Sequence, residues 1–459
     1  VSSRDSWTIA PVIGWFVVAL VAGLWCFDGG LQALAGRITT KRAPTVAPGG
    51  PVSAPGPSVA EADEVDVAPP VVTGGAGGTI GALEDTCVDG STDSCKRWAM
   101  DGFYKAVVGA RKNALGRAVR VSWYGDSVVA DDQLASRLRK RLQEELGDGG
   151  PGFVYVVPPH RFCQHEGITR SADEEQWRAF AISTHQTGDG LYGPAGSTVE
   201  TYGGKATIKL VDGKVTGAEL YYLAQPKGGE VTVTGDGAAL IQQATAAEAK
   251  TAAWASGHSD GGVKKLQIEA RGNVRLFGID LENAHGAVVD NLGIVSVHSK
   301  SFAVNDAAHW AAEVDHRGAD LMMIMIGANE AEWLHPGDTA MKEYQGHYEA
   351  LLAPLRRGRP DAACLVVSPT DQSEEKDGEY KSRPVMPRLV AAQRAAAHAQ
   401  GCAFYSTYDW MGGKGSSAKW FRKRLVSSDF QHLSRDGANK MADAIFDVLM
   451  AGARRYAGH

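Results

Sequence analysis

The chain has 459 residues, 44% of them apolar and 22% charged, with a net charge of −6 and a pI near 6.1. That composition is ordinary for a globular protein, and the length allows two or three domains. The acidic balance argues against nucleic acid as a partner, because a nucleic-acid-binding surface needs a basic footprint.

The first element is apolar. Residues 7–27, "WTIAPVIGWFVVALVAGLWCF", carry no charge, and Trp7 and Trp25 lie near the two ends. A helix of this length spans a hydrocarbon core, and Trp favours the membrane interface. Residues 1–42 are therefore expected to be an N-terminal membrane anchor. A cleaved signal segment is the alternative, since "LQALAG" offers small residues for cleavage. Arg4 precedes the span and Arg37, Lys41 and Arg42 follow it, which on the positive-inside rule argues weakly against export. Residues 43–82 are rich in Pro, Ala, Val and Gly and poor in aromatics. Such a segment cannot bury enough apolar surface to offset its ordering entropy, so it reads as a disordered linker. Cys87 and Cys95 then bracket the polar loop "VDGSTDS". Two cysteines so close in a turn-rich loop predict a disulfide and an oxidising compartment. No Cys-x-x-Cys pair is present, which argues against structural zinc. The bulk of the chain is expected on the extracytoplasmic, periplasmic side of the membrane.

A helical stretch, "KRWAMDGFYKAVVGARKNAL", leads into "VRVSWYGDSVV", an apolar β-branched run that ends abruptly at Gly125-Asp126-Ser127. A helical pattern, "DQLASRLRKRLQEEL", follows at once. Its basic run is balanced by Glu144 and Glu145 and reads as a solvated helix face. From about residue 200 the chain alternates apolar and polar residues between Gly, Asp and Asn turns. Period-two alternation at that spacing predicts antiparallel strands in a β-sandwich. "LIQQATAAEAKTAAWASG", within this region, is Ala-rich and fits no single pattern. Beyond residue 290, "ADLMMIMIGANE" and "AACLVVSPTD" are nearly continuous apolar runs, as in strands buried on both faces. "CAFYSTYDW" reads as a further strand and "RDGANKMADAIFDVLM" as a closing helix. The expected architecture is one α/β domain with a parallel sheet, residues 83–198 and 289–459, interrupted by an inserted β domain, residues 199–288.

Three short polar motifs punctuate the α/β parts: Gly125-Asp126-Ser127, Gly327-Ala328-Asn329-Glu330, and Asp429-Phe430-Gln431-His432. Each alone fits a helix cap. In an open parallel sheet, however, the carboxyl ends of the strands share one edge, where ligands bind. Ser127 at a tight turn exposes its hydroxyl, and a helix N-terminus behind it favours negative charge. His432 is placed to take the Ser127 proton, and Asp429 to hold the His432 tautomer. The Asn329 amide can donate to a developing oxyanion. His160, His165 and His298 lack a comparable acidic partner and are assigned to packing or surface. This chemistry needs neither a metal nor an organic cofactor.

The pattern resembles the SGNH (GDSL-type) hydrolases over roughly residues 83–198 and 286–459. A more particular resemblance is to SGNH peptidoglycan O-acetylesterases with an inserted carbohydrate-binding-module-like domain, carried by "GDGGPGFVYV", "DGLYGPAG" and "VRLFGIDLEN". It implies a three-layer α/β fold and a serine esterase removing acyl groups, acetyl among them, from a cell-wall glycan. It implies an oxyanion hole formed by the Ser127 N–H, the Asn329 side chain and a second-block N–H. The family has Gly in that second block, and "DNLGIVSVHS" places Ser296 there. Gly196, in "GPAGST", is the competing donor. If residue 296 holds an ordinary backbone conformation, Ser keeps the donor and narrows the pocket. Alternatives are an O-acyltransferase using the same acyl-enzyme, a non-catalytic glycan-binding protein with a decayed hydrolase domain, and a generic lipid or aryl esterase.

Overall fold

The structure, a computed structural model, describes residues 83–458. The expected membrane anchor and linker, residues 1–82, lie outside the described residues. Among the described residues no helix is long and apolar enough to cross a membrane.

Five parallel strands make the central sheet. In spatial order they are Ala403–Tyr405, Ala363–Val367, Leu321–Met325, Val119–Gly125 and Ala287–Gly293. The short strand Leu83–Glu84 adds an antiparallel edge beside Ala403–Tyr405. Every residue of Leu321–Met325 and Ala363–Val367 is buried, because helices cover both faces. Alternate residues divide between the two sides. Val121, Trp123, Leu321 and Met323 pack with Phe103, Leu138, Met441 and Ile445, from helices Asp101–Arg111, Gln133–Leu146 and Arg435–Ala457. Tyr124, Met322 and Ile324 pack with Trp310, Tyr348 and Leu389, from helices Ala307–Arg317, Asp338–Gly358 and Met386–Ala399. The result is three layers. The helix Asp338–Gly358 contains Pro354, a residue that disguises a helix in sequence.

Nine antiparallel strands between Gly152 and Glu282 form a second hydrogen-bonded sheet system with its own core, in which Ile208, Leu220, Val233, Leu266 and Ile279 are buried. Its spine is the 18-residue strand Lys265–Glu282. The first part of that strand lies between Glu230–Gly235 and Ser197–Leu210. After an irregularity between Arg271 and Val274, its second part pairs with Val215–Ala224 and Gly152–Val154. A strand that changes partners at a bulge turns a corner. Strands Gly152–Val154, Ile168–Ala172 and Arg178–Ala181 precede the boundary expected at residue 199. They are three to five residues long, too short for alternation to reveal. At the other end, Ala287 and Val288, assigned to the insert, belong to the central sheet. The two ends of the β part are joined. Asn283 N donates to Gly149 O at 2.9 Å and Ala287 N to Gly147 O at 3.0 Å.

Cys87 and Cys95 are disulfide-bonded, with Cα atoms 5.7 Å apart. A second disulfide joins Cys364 to Cys402, tying two neighbouring strands of the sheet at their starts.

A buried guanidinium lies where the two sheet systems meet, beside a shared apolar contact in which Phe153, Tyr221 and Phe277 pack with Tyr124 and Trp310. Arg317, 1% exposed, forms a fork with Asp290 of the central sheet at 2.7 and 2.8 Å. It also reaches Asp280 and Glu282 of the long β strand, each at 2.7 Å. Asp290 accepts further from Ser122 Oγ and Phe153 N, and Arg120 binds Glu282 from the other side. Burial drives the Asp280 carboxyl well above the usual carboxylate range. Burial also acts on Asp290 and Glu282, but Arg317 beside both holds them below it. Removing the cation strands buried carboxylates. Arg317→Met should therefore cost about 3–5 kcal/mol of stability, read as a lowered midpoint in urea denaturation. Arg317→Lys should recover only part, since an ammonium cannot form the fork.

Candidate active site

The first two polar motifs and the loop that holds Ser296 leave the sheet at one level, while Asp429–His432 reaches the site from the loop before the last helix. Gly125 lies opposite Gly293 on one side and Met325 on the other. Gly125 is required by close approach, because a Cβ there would sit 2.2 Å from Val129 Cγ2. The chain turns immediately into a single helical turn, Ser127–Ala130, and the longer helix starts only at Gln133, after Asp132 at φ +66°. The helix end behind Ser127 is thus shorter than the sequence pattern suggests. Its Val128 N–H is taken by Asp126 Oδ1 at 3.0 Å and its Val129 and Ala130 N–H groups by Asp126 O. The Ser127 N–H has no acceptor among the described residues and remains free to donate.

Ser127 Oγ lies 2.8 Å from His432 Nε2, and His432 Nδ1 lies 2.8 Å from Asp429 Oδ2. The other Asp429 oxygen accepts from the N–H groups of Gln431 and His432 at 2.9 and 3.0 Å and from Ser427 Oγ at 2.6 Å. Partial burial raises the Asp429 carboxyl, but these donors outweigh it and hold it well below the usual carboxylate range. His432 is raised above the ordinary imidazole value, chiefly by its hydrogen bond to Asp429, with burial opposing. The His432 and Asp429 side chains are 38% and 51% exposed, so a large substrate can approach.

Asn329 is held at both ends of its amide. Nδ2 donates to Val297 O at 2.7 Å, and Oδ1 accepts from Gln431 Nε2 at 3.4 Å. This orientation leaves the second Nδ2 hydrogen available. Nothing in the sequence marks Gln431, inside the third motif, for this contact. Asp126 also proves to be more than a cap. It is buried, and its Oδ2 accepts from Ala328 N at 3.2 Å, joining the first motif to the third. Burial pushes its carboxyl up to about 6, against the N–H bonds of Val128 and Ala328. Glu330, next to Asn329, accepts from Ser299 N at 2.7 Å.

Ser296 is exposed, its N–H has no acceptor among the described residues, and its φ is +62°. The ordinary conformation supposed for it is therefore not the one found. Ser occupies the left-handed region that favours Gly. The flanking loop is anchored on the first motif, since Ile294 N donates to Gly125 O at 3.0 Å. Gly196 is placed differently. Its N–H donates to Gly193 O at 2.9 Å within its own turn and is not free. His165 is buried and pushed down to about 4 by that burial, and His298 packs edge-on against Trp333. Among the described residues no group of three or more His, Cys, Asp or Glu is placed to hold a metal ion.

A hydroxyl hydrogen-bonded to an imidazole that is oriented by a carboxylate, at the carboxyl edge of a parallel sheet, defines a serine acylhydrolase type of site. Residues 251–438 match the GDSL-like Lipase/Acylhydrolase family. The match takes in less than half of the chain, and with the fold it marks the α/β part as similar to the GDSL-type hydrolases. The matched residues hold Ser296, Asn329, Asp429 and His432, and the geometry brings Ser127 to them. Among solved structures, one described as a peptidoglycan O-acetylesterase in action shares the fold at TM-score 0.67 and 23% identity, over 77% of this chain and 96% of that one. Two partial likenesses are weaker. An acetylxylan esterase from Geobacillus stearothermophilus matches at TM-score 0.26 and 22% identity, over 36% of this chain and 73% of its own. An acetyl xylan esterase, AlAXEase, matches at 0.27 and 15%, over 35% and 79%. A comparison with curated proteins finds no match.

The link from Asp126 to Ala328 generates a test. In Asp126→Asn an amide N–H₂ replaces one of two accepting oxygens and opposes an N–H. Stability should fall by about 1–3 kcal/mol, and kcat should fall with it. Urea denaturation and turnover of an aryl acetate measure both.

Proposed function

We propose that the protein is a serine esterase that removes O-linked acetyl groups from a cell-wall glycan such as peptidoglycan. The observation that carries the reading is the continuous hydrogen-bonded chain Ser127–His432–Asp429, with both links at 2.8 Å. The fold shared with a peptidoglycan O-acetylesterase supports the substrate class. Ser127 Oγ attacks the ester carbonyl while His432 Nε2 takes its proton. The oxyanion that forms is met by the N–H groups of Ser127 and Ser296 and the free Asn329 Nδ2 hydrogen. One such donor is typically worth about 100–1000-fold in rate. His432 then returns the proton to the departing sugar hydroxyl. Water, activated by His432, releases acetate from Ser127 by the reverse sequence. If a sugar hydroxyl takes the place of water, the same acyl-enzyme makes an acyltransferase. We place the protein outside the cytoplasm, tethered by its N-terminal segment. The two disulfides support an oxidising compartment.

Two outcomes test the mechanism. Ser127→Ala and His432→Ala should each lower turnover by orders of magnitude, with the double variant little worse than either, since the pair acts as a unit. Free acetate released from O-acetylated peptidoglycan is the measurement; acetate transferred to a second glycan identifies the transferase instead. The pH profile is the other. Only neutral His432 can accept the Ser127 proton, so kcat/KM should fall as pH drops through its raised pKa. Asp429→Asn removes the main cause of that rise. The acidic limb should then move to lower pH while kcat drops.

A further inference from the structure

The segment next to the catalytic loop carries charge that the reaction does not use. Lys414, Lys419, Arg422, Lys423 and Arg424 are all exposed, within eleven residues, in a chain whose net charge is −6. Lys419, Arg422 and Lys423 lie at i, i+3 and i+4 on or just after the helix Ser416–Arg422 and share one face of it. Trp420, between them, is buried. The nearby charged groups are engaged elsewhere: Glu379 with Lys381, Glu374 with Arg383, Asp409 with Arg394, Asp429 with His432, and Arg435 with Glu166. The hairpin beside the helix also carries exposed Glu375 and Asp377, yet none of the five cations has an ion-pair partner among the described residues.

This strip is coupled to the site by packing. Phe421 of the helix lies against Phe430 at 5.0 Å between ring centroids, and Phe430 stands between Asp429 and His432 in the chain. Tyr380, 46% exposed, covers Phe430 at 4.8 Å and Phe421 at 5.9 Å. Ser427 N and Ser434 N donate to His432 O and Leu425 O, so the chain leaving the strip runs directly into the catalytic loop. A row of unpaired cations with an exposed aromatic face, continuous with a reactive serine, suits a long polyanion with sugar rings.

We propose that Lys414, Lys419, Arg422, Lys423 and Arg424, with Tyr380, form a docking strip for a carboxylate-bearing glycan strand that delivers its acyl groups to Ser127. The proposal rests on the esterase reading above and adds the substrate's charge to it. A plain alternative is that cations near a helix C-terminus only offset its dipole. That role affects stability and leaves substrate preference untouched.

The test uses the full chain and the triple variant Lys419→Ala/Arg422→Ala/Lys423→Ala. Each is assayed on O-acetylated peptidoglycan fragments and on an uncharged aryl acetate, over a series of salt concentrations. For the unmodified protein, KM on the glycan should rise with salt while the aryl acetate responds little. In the triple variant, KM on the glycan should be about tenfold higher at low salt, because steering by the strip is lost. Its salt dependence should flatten, and a Lys419→Arg/Lys423→Arg variant should keep the unmodified behaviour. Equal losses on both substrates, or an unchanged glycan KM, would overturn the docking strip while leaving the esterase reading in place. No acetate from the unmodified protein on peptidoglycan, with aryl acetate still cleaved, would overturn both. Co-sedimentation with vesicles containing anionic lipid that the triple variant loses, with glycan kinetics unchanged, would assign the strip to a membrane surface instead.

Discussion

A closed circuit of three hydrogen bonds holds the site together. Gly125 O accepts from Ile294 N, Val297 O from the Asn329 side chain, and Asp126 Oδ2 from Ala328 N. Each bond joins two of the three strand ends, so none of these three loops can shift alone. The sheet register sets the strand ends level, and the circuit then fixes the loops that leave them. Asp126 is the costly member, since a carboxylate is buried there against two N–H groups. Its burial is tolerated because both oxygens are satisfied, and a buried polar group without partners would be expensive. The free donors that face the substrate are what remains once the circuit has taken its share.

The same logic holds between the two sheet systems. Arg317 binds Asp290 from the α/β part through a planar fork and reaches one oxygen each of Asp280 and Glu282 from the β part. A buried ion network of this kind adds little net stability against a well-packed apolar contact, but it is strongly directional. It ties the β part to the Ala287–Gly293 strand, whose far end leads toward Ser296.

Much of this was legible in the sequence. The three catalytic motifs stand out because each breaks an apolar run or precedes an amphipathic helix with small polar residues, and that signal is local. What was hidden is mostly non-local. Arg317 looks like any solvated arginine at the end of a helix until Asp290 and Asp280 are brought to it. Cys364 and Cys402 become partners only because their strands are neighbours. Gln431 has no meaning until Asn329 lies beside it. The left-handed backbone of Ser296 was missed for a different reason, since Ser gives no hint of φ where Gly would. The short strands at the start of the β part are hidden because three to five residues show no clear period.

Ser127 and His432 are 305 residues apart in the chain yet hydrogen-bonded. The strand before Ser127 has as its sheet neighbours Ala287–Gly293 and Leu321–Met325, both made much later. Its edges stay unpaired until the β part has been completed, an exposed state prone to aggregation. The joined ends of the β part change the arithmetic of closure. Once its strands pair, Gly147 and Gly149 lie beside Ala287 and Asn283, and the strand that must meet Val119–Gly125 is already at hand. Loop entropy that would span about 160 residues is settled within the β part itself. Built from contiguous chain, the β part holds its own two ends together and presents the central sheet with the neighbouring strand.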